Sequence, residues 1–361
     1  MTLPIIRHNK PSLSDLEHQA LHEPLESGWV APGPLTARFE EAFIARFATK
    51  PESTQAFAVS SGTAALYMAL YALGIKQGDE VILPSYTCTA VMNAVHFAGA
   101  RPVLADNAQG STNPDKGQIA PLITKATRAI IVTHTHGFPL DVEAVKSLGV
   151  PVIEDCCQAL GATFKQQYVG DVGDLAVYSF YASKMMTTGN GGMVMTRNNA
   201  YAERIADFLA FDGRTDYKPR FNFLFSDVQA AIGMVQLSRL DGFLARRLAT
   251  AHRYSEAITR HHSFQMLEPV QQGSANNFRF ILRFSAPEAL VSVSNQMHSK
   301  GITCIVPIEP FELLHNYTGL PGTAFSNAEK AANTFLSVPV YPALGDEEIE
   351  RIEVALRNIK L

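Results

Sequence analysis

Charge is scarce in this sequence. Asp, Glu, Lys and Arg make up 18% of its 361 residues and hydrophobic residues 47%, whereas charged residues are about a quarter of an average domain. A chain so poor in charge must bury much surface within its fold or against another copy, so an oligomer is expected. The formal net charge of −4 and the lack of any Lys/Arg cluster exclude the basic surface that nucleic acid or anionic lipid requires. Long apolar runs are also missing: none approaches the ~20 residues that span a bilayer. The first residues, MTLPIIRHNKPSLSD, lack a charged stretch followed by an apolar one, as a secretory signal has, and a cytoplasmic location is expected. Four cysteines, Cys88, Cys156, Cys157 and Cys304, make no disulfide framework in a chain of this length, and adjacent Cys156 and Cys157 are unsuited to an ordinary bridge. With His134-Thr135-His136 they match no zinc spacing that accounts for every ligand, so no metal is expected. No repeat or low-complexity segment is present.

What the sequence does contain is a regular alternation. Strands are expected at 55–60, 80–84, 101–106, 129–133 and 151–154, with helices between them starting near Ser61-Gly62-Thr63 and at 89–97, 119–124 and 142–148. Alternating βα units imply a mainly parallel sheet covered on both faces. Ligands then bind at the carboxyl ends of the strands, where Ser61, Ser85, His134, Asp155 and Ser179 stand. A short helix at 14–23 is expected to stop near Pro24. Phe39, Phe43 and Phe47, at i, i+4 and i+8, mark the core face of another helix. Residues 227–259 read as one long helix interrupted near Gly242, bridging to a smaller α+β domain with a strand at 278–284, a helix at 288–300, a strand at 303–306 and a terminal helix at 347–359. The expected division is a large domain over 1–240 and a small one over 241–361.

The chemistry centres on residues 174–196, DLAVYSFYASKMMTTGNGGMVMT. Two apolar runs flank a glycine-rich turn, and between them lies one lysine, Lys184. A lysine held against hydrophobic strands is partly desolvated, which frees a neutral amine for attack on a carbonyl. Ser61-Gly62-Thr63, between a strand and a helix, is either an anion cup built from first-turn amides and the Thr63 hydroxyl or a plain N-cap. Asp155, closing the strand PVIED, is either the partner of a protonated ring nitrogen or a helix cap.

These residues fall in the order seen in a known family. The chain resembles the DegT/DnrJ/StrS sugar aminotransferases over nearly its whole length, through SGWVAPGPLTARFE (27–40), SSGTAAL (60–66), GDEVILPSYT (78–87), VIEDCCQALGA (152–162), VGDVGDLAVYSFYASK (169–184), GNGGMVMT (189–196) and QAAIGMVQLSRLD (229–241). The resemblance implies the α/β fold type I architecture of pyridoxal 5′-phosphate (PLP) enzymes, with a seven-stranded-type sheet. It implies a homodimer with a shared active site and transfer of an amino group, with L-glutamate as expected donor, to a keto-sugar, expected to be nucleotide-linked. By similarity Lys184 bonds PLP as a Schiff base and acts as the base, Asp155 pairs with the pyridine nitrogen, and Gln158 lies near the ring's 3-hydroxyl. Gly62, Thr63 and Ser179 hold the phosphate, with Asn222 reaching in from the second subunit.

Three positions depart from the family. Cys88 stands where an aromatic ring usually stacks on the cofactor, with Tyr86 two residues away; Leu224 replaces an Arg; and Pro307-Ile308 replaces a His-Tyr pair. Arg214, Lys218 and Arg220 are therefore expected to supply the missing contacts to a nucleotide sugar. Two alternatives stay open: a PLP enzyme acting on a non-nucleotide keto compound, and a non-catalytic regulatory relative.

Overall fold

The structure is a computed structural model that describes residues 4–259 and 261–361. Seven strands form its main sheet: β1 (Gln55–Val59), β2 (Glu80–Pro84), β3 (Arg101–Ala105), β4 (Thr127–Thr133), β5 (Val152–Asp155), β6 (Leu175–Ser179) and β7 (Gly192–Thr196). Their spatial order is β1-β7-β6-β5-β4-β2-β3. The pairs from β6 to β3 are parallel, while β7 runs antiparallel to both β1 and β6. Six strands therefore point one way, and their carboxyl ends share one edge of the sheet. The Lys184 segment explains the exception: after β6 the chain turns within a dozen residues and comes back alongside as β7. So short a connection, with no helix in it to cross the sheet, suits an antiparallel partner.

Both faces of the sheet are covered, so the strands alternate between two apolar layers. Leu175 and Val177 pack with the helix Gly62–Ala72, whereas Ala176 and Tyr178 pack with Phe39, Phe43 and Phe47. The helix Pro34–Phe47 begins at Gly33, which has no side chain to cap it. Asp227 does so from a distance: its buried carboxylate accepts the amides of Gly33, Leu35 and Thr36 at 2.8–3.1 Å.

A smaller antiparallel sheet, β8 (Phe264–Met266), β9 (Phe280–Phe284) and β10 (Phe335–Val338), packs against the helices Pro287–Ser299 and Asp346–Arg357. Ile6 joins this second core and bridges to Ile302. The expected division at residue 240 falls inside the continuous helix Asp227–Ile258, which is not interrupted at Gly242. That glycine is exposed, with open space around it, and costs only propensity. Pro24 does not end a helix but sits in the first turn of a second one, His22–Ser27, where its missing N–H has no partner to lose. Residues 303–306 make a single bridge, Ile305 to Ser337, instead of a strand.

Candidate active site

At the carboxyl edge of the sheet a cavity of about 210 Å³ opens. Ser61 forms one wall as the N-cap of the helix Gly62–Ala72, accepting the Ala64 amide at 3.1 Å. The amides of Gly62 and Thr63, ahead of it in the first turn, have no intrahelical partner and face an anion site. The two sequence readings thus divide by residue: Ser61 caps, and Gly62 and Thr63 remain open. A Cβ at Gly62 would stand 2.9 Å from Cβ of Ser179 and 3.2 Å from Sγ of Cys157, so only glycine lets the turn meet the end of β6. At Gly192, where β7 begins, a Cβ would lie 2.5 Å from the Ser61 carbonyl oxygen.

Asp155 ends β5, buried in the cavity floor. Its Oδ1 accepts the Cys157 amide at 2.9 Å, which fixes the carboxylate at the cavity floor. Gln158 is held by His136. The His136 amide donates to Oε1 of Gln158 at 2.8 Å, and Nδ1 lies 3.2 Å from the same oxygen. An atom that accepts a backbone N–H is the amide oxygen, so Nδ1 carries the ring proton and Nε2 is left to accept from the Tyr86 hydroxyl at 3.3 Å. The Gln158 amide nitrogen is then the free end. Burial, and next the charge of Arg279, push the His136 pKa down to about 3, so the imidazole is neutral. His136 has φ +61°, uncommon for a residue with a side chain, and this conformation brings its amide and ring to bear on one oxygen.

Lys184 lies in the turn between β6 and β7, its amide bonded to the Tyr181 carbonyl at 2.9 Å. The turn is clamped by Thr187 and Thr188, which both bond the Phe180 carbonyl, and by Asn9, which donates to the Ser183 carbonyl at 3.0 Å. The Lys184 amine stands 5.7 Å from the centre of the Phe278 ring. Gly62, Thr63, Cys88, Asp155, Gln158, Ser179 and Lys184 all line the one cavity.

Other sequence candidates lie elsewhere. Asn222 is exposed and outside this cavity, its Oδ1 accepting the Leu224 amide at 3.3 Å. Ser85 bonds Nδ1 of His315 at 2.8 Å. Tyr86 is fully buried under His136, so it offers no ring to replace the one Cys88 lacks. Ile308 belongs to the core and forms no wall of the site. Arg214, Lys218 and Arg220 all turn onto Asp207 and Asp216, at 2.9–3.9 Å. Three cations thus share two carboxylates, and none of them lines the Lys184 cavity of this chain. His134 and Cys156 gather around Glu154, but Glu154 is already bonded to His134 Nε2 and to the amides of Gly170, Val172 and Gly173, and His134 Nδ1 accepts the Leu140 amide at 3.4 Å. This buried set ties β4 to the loop before β6.

Sequence reasoning missed His136 as an anchor, having weighed it only as a metal ligand. It also passed over Tyr181, Cys157 and Asn190, which line the same cavity. The available signal was position: Tyr181 and Asn190 lie in the Lys184 turn, and Cys157 lies between Asp155 and Gln158.

A mixed seven-stranded sheet with a lysine turn, a strand-end carboxylate and a glycine-lined anion cup on one edge defines a fold type I PLP enzyme. The residues fit the cofactor: the cup lacks the Cβ that would fill it, and a carboxylate and an amine share the cavity. The chain belongs to the DegT/DnrJ/EryC1/StrS aminotransferase family, whose model matches residues 11–357. It is 30% identical to the spore coat polysaccharide biosynthesis protein SpsC of Bacillus subtilis (strain 168), covering 98% of this chain and 96% of that protein. It is 36% identical to a GDP-perosamine synthase of Escherichia coli O157:H7, over 69% of this chain and 70% of that one. Among solved structures, the aminotransferase TlmJ from Streptoalloteichus hindustanus superposes with a TM-score of 0.89 at 30% identity, covering 98% of each chain. The protein is therefore an aminotransferase with PLP as its cofactor.

Proposed function

We propose that this enzyme transfers the amino group of L-glutamate to a nucleotide-linked keto-sugar, as a cytoplasmic homodimer. The observation that carries the reading is the convergence of Lys184, Asp155 and the Gly62-Thr63-Ser179 cup on one cavity, in a family whose relatives include a GDP-perosamine synthase. When bound, PLP supplies an electron sink for the carbon that loses its proton and a carrier for the nitrogen. Gly62, Thr63 and Ser179 bind its phosphate through first-turn amides and a hydroxyl. Asp155 Oδ2 holds a proton on the ring nitrogen, and the Gln158 amide donates toward the ring's 3-oxygen. Lys184 would hold the cofactor through its amine and would be the base that carries the proton lost from the donor carbon. Asn222 completes the phosphate site of the partner copy. Exposed Phe97 and Phe221, whose rings meet at 6.1 Å, are apolar surface that a second copy would cover.

Incubation with PLP, L-glutamate and a panel of nucleotide-linked keto-sugars, with product mass as the readout, tests the reading. It requires an amino-sugar nucleotide and 2-oxoglutarate in equal amounts. Turnover with only non-nucleotide ketones would overturn the substrate class.

A further inference from the structure

The turn that carries Lys184 ends in residues that give it little stiffness of their own. Gly189 and Gly191 stand at φ +80° and +151°, a freedom that comes with a large entropy to lose on ordering. Part of the missing stiffness is supplied by the first residues of the chain. Ile6 is buried and pairs with Gly301 and Thr303 through its amide and carbonyl, at 2.8 and 3.0 Å, which anchors this segment to the second core. From there Asn9 donates to the Ser183 carbonyl at 3.0 Å, one residue before Lys184. Ser12 and Glu17 reach the far side of the same turn through Gln236.

Gln236 is buried, and its Nε2 donates to the Ser12 carbonyl at 2.8 Å and to Oε1 of Glu17 at 2.6 Å. Burial alone would raise the pKa of Glu17, but hydrogen bonds from Ser14, Gln236 and Arg239 outweigh it and bring the pKa down to about 2. Glu17 is therefore an anion at neutral pH and can only accept, as the Ser12 carbonyl does. The two acceptors hold the NH₂ end of Gln236, so Oε1 faces the turn, where it accepts the Thr187 amide at 3.1 Å. Thr187 is buried in turn, and its hydroxyl donates to the Phe180 carbonyl at 3.1 Å, which closes the turn on the residue after Ser179.

We propose that the N-terminal segment positions Lys184 from both sides of its turn, Asn9 through Ser183 and Glu17 through Gln236 and Thr187, which makes these three side chains positioning residues for the amine. The inference rests on the role of Lys184 proposed above. A base that serves two atoms of the substrate loses rate steeply when displaced by about 1 Å, and a turn ended by glycines keeps its place only while such outside contacts last.

The test uses the PLP-loaded enzyme with two readouts: hydrogen–deuterium exchange of the peptide over 181–189, and the maximal rate and half-saturation of the reaction with L-glutamate, followed by visible absorbance. Gln236→Leu leaves the buried Thr187 amide without its acceptor, which shifts local opening about ten- to a hundredfold. Exchange over 181–189 should quicken by that factor and the maximal rate should fall at least tenfold, with half-saturation within about twofold of the wild type. Asn9→Ala, at a less buried site, should show the same pattern at about three- to tenfold. Lys184→Ala, supplied with methylamine as the base, separates positioning from general support of the fold. Gln236→Leu should cost that enzyme no further rate, and an equal loss in both backgrounds overturns the proposal. Unchanged exchange, or faster exchange with an unchanged rate, overturns it as well, and each of these leaves the role of Lys184 intact. A wild type that transfers no amino group overturns that role and the proposal with it. Should Gln236→Leu fail to fold, Asn9→Ala decides, and wild-type exchange and rate there refute the proposal.

Discussion

His136 grips Gln158 twice, through its backbone amide at 2.8 Å and its Nδ1 at 3.2 Å, both on the same oxygen. Because both donors take Oε1, the Gln158 NH₂ is the end we propose for the cofactor. Gln158→Glu keeps the acceptor for His136 but removes that donor and adds a charge. A lost hydrogen bond to a charged group is worth about 1.5 to 3 kcal/mol, so kcat should fall about ten- to a hundredfold. Steady-state kinetics with saturating donor check this, and an unchanged kcat would remove Gln158 from the ring contacts.

The same histidine sets an acid limit on stability. Its pKa is about 3 in the folded protein, against an ordinary 6.5, so below pH 6.5 the unfolded chain takes up a proton that the folded one refuses. Stability from this group is whole above pH 6.5 and is lost as pH falls toward 3. Between pH 7 and pH 5 the loss is about 2 kcal/mol. His136→Asn cannot titrate and tolerates a positive φ, so urea unfolding at the two pH values should show a difference smaller by that amount than in the wild type.

Gly62→Ala tests the anion cup. The added Cβ would meet Cβ of Ser179 at 2.9 Å, pushing apart the two groups proposed to hold the phosphate. Cofactor affinity, followed by absorbance on titrating the apoenzyme, should drop at least tenfold, beside the loss of about 1 to 3 kcal/mol in apoenzyme stability that overpacking brings. An unchanged affinity would move the phosphate away from this turn.

Asn222 is exposed in its own chain, and in the function proposed above it completes the site of a second copy. Asn222→Ala should therefore weaken PLP binding by about three- to tenfold, on the scale of one lost hydrogen bond, without changing the dimer seen by sedimentation. A fully active monomer would contradict the shared site.

Much of this was legible in the chain, for identifiable reasons. Strand-end residues such as Asp155 and Ser179 announce themselves because a polar side chain that closes an apolar run must sit at the sheet edge. The antiparallel return of β7 follows from the shortness of the Lys184 turn, yet periodicity alone carries no strand direction. The pairing of Arg214, Lys218 and Arg220 with Asp207 and Asp216 was hidden because Asp207 lies on the preceding helix, Asn199–Leu209, so loop composition alone reads as free charge. His136 was missed for a similar reason: its role depends on a backbone conformation that no neighbouring residue in the sequence signals.

The central claim is that Lys184 carries the cofactor, and chemical labelling tests it most directly. The PLP-loaded enzyme is reduced with borohydride, digested, and its peptides are weighed. The account predicts one phosphopyridoxyl group, on Lys184, with no labelling of Lys184→Ala under the same conditions. A label on another lysine, or an unlabelled Lys184 in protein that still transaminates, would contradict it.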